Sequence, residues 1–333
     1  MARRWDILKG SMAAAGMALL ILDSKTALSG ARDGIELCIR TVIPSLFPFF
    51  LLSILLTGTV MGIGKRILSP ICRVFRIPDG TGPVLLTGLL GGYPVGAQCI
   101  SQAFEKGQIK PRQARRMLAF CSNCGPAFLF GICGNVFEEN WAPWALWAVI
   151  LISAWITALL IPADKIDSAD ITAGERMSAQ RALNKTLRVM GSVCGWVVIF
   201  RVIIQFLQRW FLWLLPEEVQ VSVCGLLELS NGCVELGRIE SSSLRFMLCA
   251  GLLSFGGLCV TMQTYGVLSP KLDARLYFPG KVLQCCISLI LSSIICGGEG
   301  WQYLWIPCLI GVFSLWFLRK SENNSSIRAA VGV

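Results

Sequence analysis

The chain contains no histidine, and only 15% of its 333 residues are charged. The lack of histidine excludes Ser-His-Asp triads, histidine general bases and histidine-ligated metal sites. The low charge also argues against a soluble domain, which usually carries about 25% charged residues. We therefore expect neither an enzyme nor a nucleic-acid-binding protein, and no cofactor.

Long apolar runs, by contrast, recur from one end of the chain to the other, and 54% of the residues are hydrophobic. A membrane-spanning helix needs roughly 20 mostly apolar residues. This pattern predicts an all-α polytopic membrane protein with about eight transmembrane helices. The eight predicted spans lie at about 11–28, 38–60, 117–135, 141–161, 189–213, 245–266, 282–297 and 302–319.

Two further apolar segments are interrupted, and each is too broken to form one straight span. The first, Gly82 to Phe104, is broken at Gly91-Gly92-Tyr93-Pro94, and the second, Val219 to Leu236, is broken at Ser230-Asn231-Gly232. Irregular backbone at membrane depth is tolerated only where it is buried in protein or lines a watery cavity. We predict two re-entrant hairpins, at 82–106 and 218–240.

The distribution of basic residues fits this layout. With the N-terminus inside, the predicted inner segments contain 23 of the 30 lysines and arginines. A full span at either broken segment would reverse every later loop and destroy the asymmetry, because cytoplasmic loops are the ones enriched in Lys and Arg. Both termini are therefore predicted to be cytoplasmic. An N-terminal signal peptide, suggested by Arg3, Arg4 and Lys9, fits the charges less well. The inner segments are 1–10, 61–82, 105–117, 163–188, 267–281 and 318–333.

The one long hydrophilic stretch, 163–188, is predicted to be a cytoplasmic linker between two similar halves. Each half has a spanning helix, a hairpin, a spanning helix with a Gly-rich break and a further spanning helix. The halves enter the membrane in opposite directions, which is typical of an inverted-topology repeat whose interrupted segments form the substrate site. The predicted divisions are an N-terminal transmembrane helix (1–34), a first repeat (35–162), the linker, a second repeat (189–320) and a C-terminal tail (321–333).

The first hairpin tip is a candidate substrate site. Gly91 and Gly92 accept positive φ, and Pro94 removes an N–H donor and starts a helix well. The tip would therefore present the N-terminus of a half-helix, which carries partial positive charge and binds anions. Tyr93 would contact the cargo. The alternative is a simple kink between packed helices.

A second break lies within the predicted span 117–135. Gly125 and Pro126 interrupt its hydrogen-bond ladder, and Asn123 can donate and accept hydrogen bonds beside the gap. Asn123 is therefore a candidate substrate contact. Hydrogen bonding between helices is the alternative, since Asn side chains often join membrane helices in this way.

Two buried charges are candidates in the second half. Glu228 stands beside Asn231 and Gly232 at the second hairpin tip, and a carboxylate at that depth is costly and by default functional. It could carry a coupling proton or cation, contact substrate, or pair with an intramembrane arginine. Arg201, central in the span 189–213, could neutralise a cargo carboxylate, pair with Glu228, or mark a displaced helix boundary. Asn231 is a further candidate substrate contact.

The span 245–266 is broken at Ser254-Phe255-Gly256-Gly257, in the position that matches the Asn123 region of the first half. Ser254 is a candidate substrate contact, and Gly256 and Gly257 are the helix break. The chain's 15 cysteines lie mostly inside apolar runs, where cysteine acts as a small apolar residue. Cys121 and Cys124 form a CxxC without a second pair, so we expect no metal site.

These motifs together resemble a known family, the YlbJ family of sporulation integral membrane proteins. The motifs that carry the resemblance are Gly91 to Ala97, Ser122 to Pro126, Glu228 to Gly232 and Ser254 to Gly257. The family carries the nucleoside-recognition Gate domain, which is similar to part of the concentrative nucleoside transporters. The resemblance implies a role in spore formation, moving dipicolinic acid across the outer forespore membrane.

We therefore expect a secondary transporter of a small carboxylate, with dipicolinic acid as the cargo that the resemblance implies. An ion-coupled nucleoside transporter and a non-transporting membrane scaffold for spore assembly are the alternatives. The expected partners are the lipid bilayer, a small anionic or nucleoside-like substrate, and a coupling H⁺ or Na⁺. The sequence leaves the oligomeric state open.

Overall fold

The computed structural model describes residues 2–63, 67–163, 178–298 and 300–331, and no β-strand occurs among them. Most of the predicted linker 163–188, and Glu299, lie outside the described residues. The α-helices are α1 (Ala2–Leu22), α2 (Ser24–Leu37), α3 (Ile43–Ile63), α4 (Ser69–Val74), α5 (Gly82–Leu90), α6 (Val95–Glu105), α7 (Pro111–Leu118), α8 (Pro126–Gly131), α9 (Ala142–Leu160), α10 (Ala179–Trp210), α11 (Glu217–Leu227), α12 (Leu229–Glu235), α13 (Ser242–Phe255), α14 (Gly257–Val267), α15 (Tyr277–Ile295) and α16 (Trp305–Val331).

Five segments of the described chain are helical, long and apolar enough to cross a membrane. They overlap five of the eight predicted spans, and large apolar side chains such as Ile199 on α10 and Phe313 on α16 are exposed on the outside. Exposed apolar surface of this kind is favourable in lipid and unfavourable in water. The protein is a multi-pass membrane protein. The five segments are Ser24–Leu55, Ala142–Leu160, Ala179–Trp210, Ser242–Val267 and Tyr277–Ile295.

The structure departs from two of the other three predicted spans. The span 11–28 is interrupted at Asp23, whose side chain accepts a hydrogen bond from the Thr26 N–H and so starts a second helix. The span 117–135 is two short helices, α7 and α8, separated by non-helical backbone from Ala119 to Gly125. The last predicted span, 302–319, is helical from Trp305 onward as part of α16, although α16 is not among the five segments.

The α2 and α10 helices pack closely because α2 carries two glycines four residues apart. A methyl group at Gly30 would lie 2.9 Å from the Val202 Cα, and one at Gly34 would lie 3.0 Å from the Val198 Cα. Small residues at this spacing let two membrane helices bring their backbones together. The α2 helix continues into α3 through one π-helical turn, Cys38–Val42, just before Pro44.

The α5 and α6 helices form a short hairpin whose flanking segments meet at one end of the molecule. Arg116 on α7, after the hairpin, donates a 2.8 Å hydrogen bond to the carbonyl oxygen of Arg76, before it. The same guanidinium reaches the carbonyl oxygen of Ile161 at the end of α9. The backbones of the two arms touch at Gly88 and Gly96.

The loop between α14 and α15 joins this end of the molecule through Asp273. Its carboxylate pairs with Arg115 at 3.1 Å and with Arg275 at 2.9 Å. Partial burial alone would raise the pKa of Asp273, but hydrogen bonds from Arg275 and Arg115 and the charge of Arg275 outweigh it and lower the pKa to about 2. The ion pairs therefore persist throughout the neutral pH range.

The α11 and α12 helices form the corresponding hairpin in the second half. Gly232 on α12 packs directly against Gly225 on α11, as Gly96 packs against Gly88 in the first hairpin. Gln208, near the end of α10, donates a 3.3 Å hydrogen bond to Glu235 at the end of α12. The chain therefore enters and leaves this hairpin beside the same end of α10.

The contact of α15 with the non-helical segment before α8 provides a stability test. A methyl group at Gly280 would lie 2.5 Å from the Ala119 Cβ and 2.7 Å from its carbonyl oxygen, whereas one at Gly195 on the exposed face of α10 would meet nothing within 4 Å. We expect Gly280→Ala to cost about 1–3 kcal/mol through overpacking. Gly195→Ala should be neutral or stabilising by up to about 1 kcal/mol through helix propensity. Melting temperatures of the two detergent-purified variants check this, and equal values would contradict the close contact.

Candidate functional site

The two hairpin tips meet at a cavity of about 40 Å³. A buried water needs at least about 10–15 Å³ on this scale, so the space holds a few waters and no metabolite. Apolar side chains of α3, α8, α10 and α14 complete its walls. The residues around it are Leu46, Phe50, Gly91, Gly92, Tyr93, Cys124, Gly125, Ala127, Phe128, Val193, Val197, Glu228, Leu229, Ser230, Val260 and Gln263.

The first hairpin tip lies directly on the break between α7 and α8. A methyl group at Gly125 would lie 2.9 Å from the Gly92 nitrogen, and Gly92 has φ +73°. Only glycine fits such a close approach and such a backbone conformation without strain. Gly91, Gly92 and Pro94 are the predicted break of the first hairpin. Pro94 is the N-cap residue of α6, and its peptide bond to Tyr93 is cis.

The second hairpin tip lies in the same way on the break between α13 and α14. Gly256 and Gly257 have φ +88° and +80°, and a methyl group at Gly257 would lie 3.1 Å from the Gly225 carbonyl oxygen and 3.4 Å from the Leu229 nitrogen. In both halves, therefore, a hairpin tip packs on the non-helical backbone of the helix break that follows it in the chain.

Tyr93 connects the two halves across the cavity. A methyl group at Gly256 would lie 3.0 Å from the Tyr93 Cζ, and the phenol hydroxyl donates a 3.4 Å hydrogen bond to the Leu253 carbonyl oxygen. The ring belongs to the first hairpin but packs on the break of the second half. Of the five predicted substrate contacts, Tyr93 is the one that lines the cavity.

Glu228 also lines the cavity, and its carboxylate is bound by its own turn. It accepts hydrogen bonds from the N–H groups of Ser230 at 3.0 Å and Asn231 at 2.7 Å, and from the Asn231 Nδ2 at 2.8 Å. Glu228 therefore caps the N-terminus of α12. The N-terminus of this half-helix therefore binds the chain's own carboxylate, and Asn231 positions that carboxylate instead of lining the cavity.

Arg201 is engaged away from the cavity. Its guanidinium pairs with Asp33 on α2 at 3.3 Å and with Glu235 on α12 at 3.5 Å. Pairing with Glu228, one of the interpretations open from sequence, is therefore wrong. Asp33 could not be recognised as the partner because it stands between two predicted spans, in a stretch that turned out to be helical and packed on α10.

Asn123 and Ser254 are both buried, and both bind side chains of α15. The Asn123 Oδ1 accepts a 2.8 Å hydrogen bond from the Gln284 Nε2, and the Ser254 and Ser288 hydroxyls share a hydrogen bond. The predicted breaks at Gly125–Pro126 and Gly256–Gly257 are thus anchored to one helix. Neither Asn123 nor Ser254 lines the cavity in this conformation.

Lys281 on α15 is the central residue that sequence reasoning missed. Its side chain is fully buried, and its ammonium group donates to Gln284 at 2.7 Å, to the Ser122 carbonyl oxygen at 3.0 Å and to Asn123 at 3.2 Å. The nitrogen also lies 5.2 Å from the centroid of the Tyr93 ring, within cation–π distance. We had assigned Lys281 to an inner loop that ended at residue 281.

The sequence did contain a signal for this helix face. Lys281, Gln284, Ser288 and Ser292 follow one another at intervals of three and four residues within an apolar run, and all four are fully buried. This spacing places them on one face of a helix. A polar stripe in a membrane helix indicates a face turned toward the protein interior or a watery cavity.

Three buried cysteines are the one group in the described part of the chain with metal-ligand geometry. The sulfur atoms of Cys133, Cys233 and Cys249 lie within 4.8 Å of one another. Structural zinc sites almost always have four ligands, and this group supplies three. The absence of a metal therefore stays a prediction, and the CxxC cysteines 121 and 124 are not part of the group.

Comparison with known proteins finds similarity to the sporulation integral membrane protein YlbJ of Bacillus subtilis (strain 168). The two are 24% identical over 371 aligned positions, which cover 94% of this chain and 86% of that protein. No family model matches the chain, and no solved structure matches it significantly. The likeness along nearly the whole of both chains supports the resemblance to the YlbJ family that the motifs predict.

The ion pairs of Arg201 can be tested separately from any transport assay. Arg201→Gln leaves the carboxylate of Glu235, whose side chain is 10% exposed, without its cation. Loss of one partner of a buried pair costs about 3–5 kcal/mol. We expect a marked fall in melting temperature for Arg201→Gln and substantial recovery in the double variant Arg201→Gln, Glu235→Gln. Asp33→Asn is the matched control, and it should cost less because the Asp33 side chain is 42% exposed. A double variant no more stable than Arg201→Gln would contradict this assignment.

Proposed function

We propose that this protein is a secondary transporter of a small carboxylate and that the cavity between the hairpin tips is the closed form of its substrate site. The observation that carries the proposal is the meeting of four chain interruptions at one place. Each interruption places backbone polar groups inside a membrane protein, where non-helical backbone is tolerated only if it is buried or lines a cavity. A membrane scaffold would gain nothing from such a costly arrangement.

The proposed architecture is the inverted-topology repeat predicted from sequence, with eight spans and two re-entrant hairpins. The hydrogen bond from Arg116 to Arg76 supports the first hairpin, since it joins the segments before and after α5–α6. The parallel glycine contacts at Gly88–Gly96 and Gly225–Gly232 support a structural repeat. In this arrangement the N- and C-termini are cytoplasmic and the tips meet near the midplane, as in known inverted-repeat transporters.

The proposed mechanism is alternating access by motion of one bundle against the other. The cavity is too small for a carboxylate metabolite, so the hairpin tips must separate for cargo to enter. The contacts that must break are those of Tyr93 with Leu253 and Gly256, because they join the first hairpin tip to the break between α13 and α14. Glu228, the carboxylate on the cavity wall, is the proposed site of the coupling proton or cation.

The proposed cargo is dipicolinic acid, carried across the outer forespore membrane during spore formation. The name of the similar Bacillus subtilis protein, a sporulation integral membrane protein, supports the setting. The aromatic ring of Tyr93 offers a face on which a planar pyridine can stack. A nucleobase could stack there too, so an ion-coupled nucleoside transporter is the competing proposal, as the resemblance to the Gate domain suggested.

Labelling of single cysteines tests the proposed topology. Exposed positions flank each hairpin: Arg73 and Lys106 for the first, Glu218 and Glu240 for the second. We expect Arg73→Cys and Lys106→Cys to react from the cytoplasmic side, and Glu218→Cys and Glu240→Cys from the opposite side. A membrane-impermeant maleimide, applied to intact cells and to inverted vesicles of a variant without native cysteines, checks this. Opposite sides within either pair would contradict that re-entrant hairpin.

Uptake by reconstituted vesicles tests the proposed cargo. We expect labelled dipicolinate to enter protein-containing vesicles faster than protein-free vesicles, and labelled uridine and adenosine to enter both at the same rate. Glu228→Gln should still bind dipicolinate while losing the dependence on an imposed proton or sodium gradient. Gradient-driven nucleoside entry without dipicolinate entry would favour the competing proposal.

A further inference from the structure

We propose that Lys281 is the residue that makes the substrate site selective for anions. The inference rests on the proposed transport function, because it specifies the charge of the transported cargo and the side chain that recognises that charge. Lys281 takes the role that the sequence had suggested for Arg201. Three observations carry the proposal. Three oxygen acceptors surround the Lys281 ammonium group, no carboxylate pairs with it among the described residues, and it lies behind the cavity wall.

The surroundings of Lys281 fit a charged ammonium group. An ammonium has three N–H donors, and three oxygen acceptors surround the Nζ, from Ser122, Asn123 and Gln284. Gln284 is itself held by hydrogen bonds to Asn123 and to Ser153 on α9. The network therefore fixes the ammonium in place and leaves none of its donors without a partner.

All three acceptors are neutral, so nothing in this network cancels the charge. Among the described residues no carboxylate forms an ion pair with Lys281, whereas Arg201 pairs with two carboxylates and Arg115 with one. Glu228, the acid on the cavity wall, is bound within the turn that starts α12. A buried charge without a counter-charge is costly unless a ligand supplies that counter-charge.

The position of Lys281 lets its charge act on the cavity without direct contact. Tyr93 has one face toward the ammonium, 5.2 Å from the ring centroid, and is itself part of the cavity wall. The ammonium also binds Ser122 and Asn123, which immediately precede the cavity residues Cys124 and Gly125. At an effective dielectric of about 20, two unit charges roughly 10 Å apart change an equilibrium constant by about tenfold or more.

A second polar group, in the residue that binds the ammonium through its carbonyl oxygen, fits an oxygen-bearing cargo. The hydroxyl of Ser122 is buried and has no hydrogen-bond partner within the described residues. A buried hydroxyl without a partner is destabilising, a penalty that a hydrogen bond to a carboxylate oxygen could remove. The cargo class is therefore a small planar carboxylate, and a neutral nucleoside would leave the Lys281 charge uncompensated.

A series of three pyridines tests the inference. Pyridine-2,6-dicarboxylate, pyridine-2-carboxylate and pyridine-2,6-dicarboxamide have similar rings and carry two, one and no negative charges. We expect the wild-type protein to prefer the dicarboxylate over the dicarboxamide by about tenfold or more, both in vesicle uptake and in ligand-induced thermal stabilisation in detergent. Lys281→Gln should reduce that preference to about onefold to threefold, and Lys281→Arg should retain most of it.

Two further variants separate charge from folding. Gln284→Glu places a carboxylate at the atom that now lies 2.7 Å from the Nζ, so it should cancel the charge and lower the preference while lysine is still present. Lys271→Gln removes the same charge from an exposed loop position and is the matched control, with the preference unchanged. Should Lys281→Gln not fold, Gln284→Glu decides the matter.

The outcomes distinguish failure of the inference from failure of the transport proposal. Wild-type protein that takes up or binds dicarboxylate and dicarboxamide equally well overturns the inference and leaves transport standing. Folded Lys281→Gln and Gln284→Glu proteins that keep the full preference overturn it too. Stabilisation by the dicarboxylate that depends on Lys281, without uptake, would support the inference as a binding site and count against transport. No uptake and no stabilisation would overturn both.

Discussion

The structure depends on one constraint, that interrupted helices inside a membrane need partners for their free backbone groups. Water cannot satisfy these groups in the hydrocarbon region, so protein atoms must. The chain meets the constraint by placing each hairpin tip on the helix break that follows it. Gly92 lies against Gly125 in the first half, and Gly257 lies against Gly225 and Leu229 in the second. The glycines are what make these approaches short enough, and the cavity is the space that remains between the two assemblies.

The two assemblies are similar in backbone and different in side-chain chemistry. Both are anchored to α15, but the first break is held by Lys281 and Gln284, and the second by Ser288. The first break therefore lies beside the fixed positive charge of Lys281, a residue of the second half, whereas the second hairpin tip supplies the carboxylate of Glu228 on the cavity wall. A repeated backbone with unlike side chains gives a site with polarity, which a symmetrical pair of glycine-rich tips alone could not provide.

The sequence predicted the positions of the helix breaks well and the partners of the buried charges poorly, for a physical reason. The helix breaks could be predicted because glycine and proline change the conformation of their own backbone. They lie at Gly91-Gly92-Tyr93-Pro94, Gly125-Pro126 and Gly256-Gly257. The partner of a buried charge depends on tertiary packing, which local pattern does not contain. Arg201 was therefore assigned to the substrate site, although Asp33 on a distant helix neutralises it. Lys281 was not recognised as a buried residue because the predicted span begins at residue 282, whereas α15 begins at Tyr277. The sequence pattern that indicates its burial is the polar helix face that Lys281 forms with Gln284, Ser288 and Ser292.

Tyr93 is the residue on which the proposed opening of the cavity depends. Its backbone belongs to the first hairpin, its ring packs on Gly256 of the second half, and its hydroxyl donates to Leu253. Its inner face meets the Lys281 ammonium. In the proposed opening, the first hairpin tip moves away from the break between α13 and α14, and Tyr93 leaves Leu253 and Gly256. Cation–π attraction favours the ring staying with Lys281, which also binds Ser122 and Asn123 of the first break, against which the first hairpin tip packs. Separation would then expose Tyr93, with the charge behind it, at the mouth of the opened site. The same movement that admits the cargo would bring the anion-selective surface to meet it.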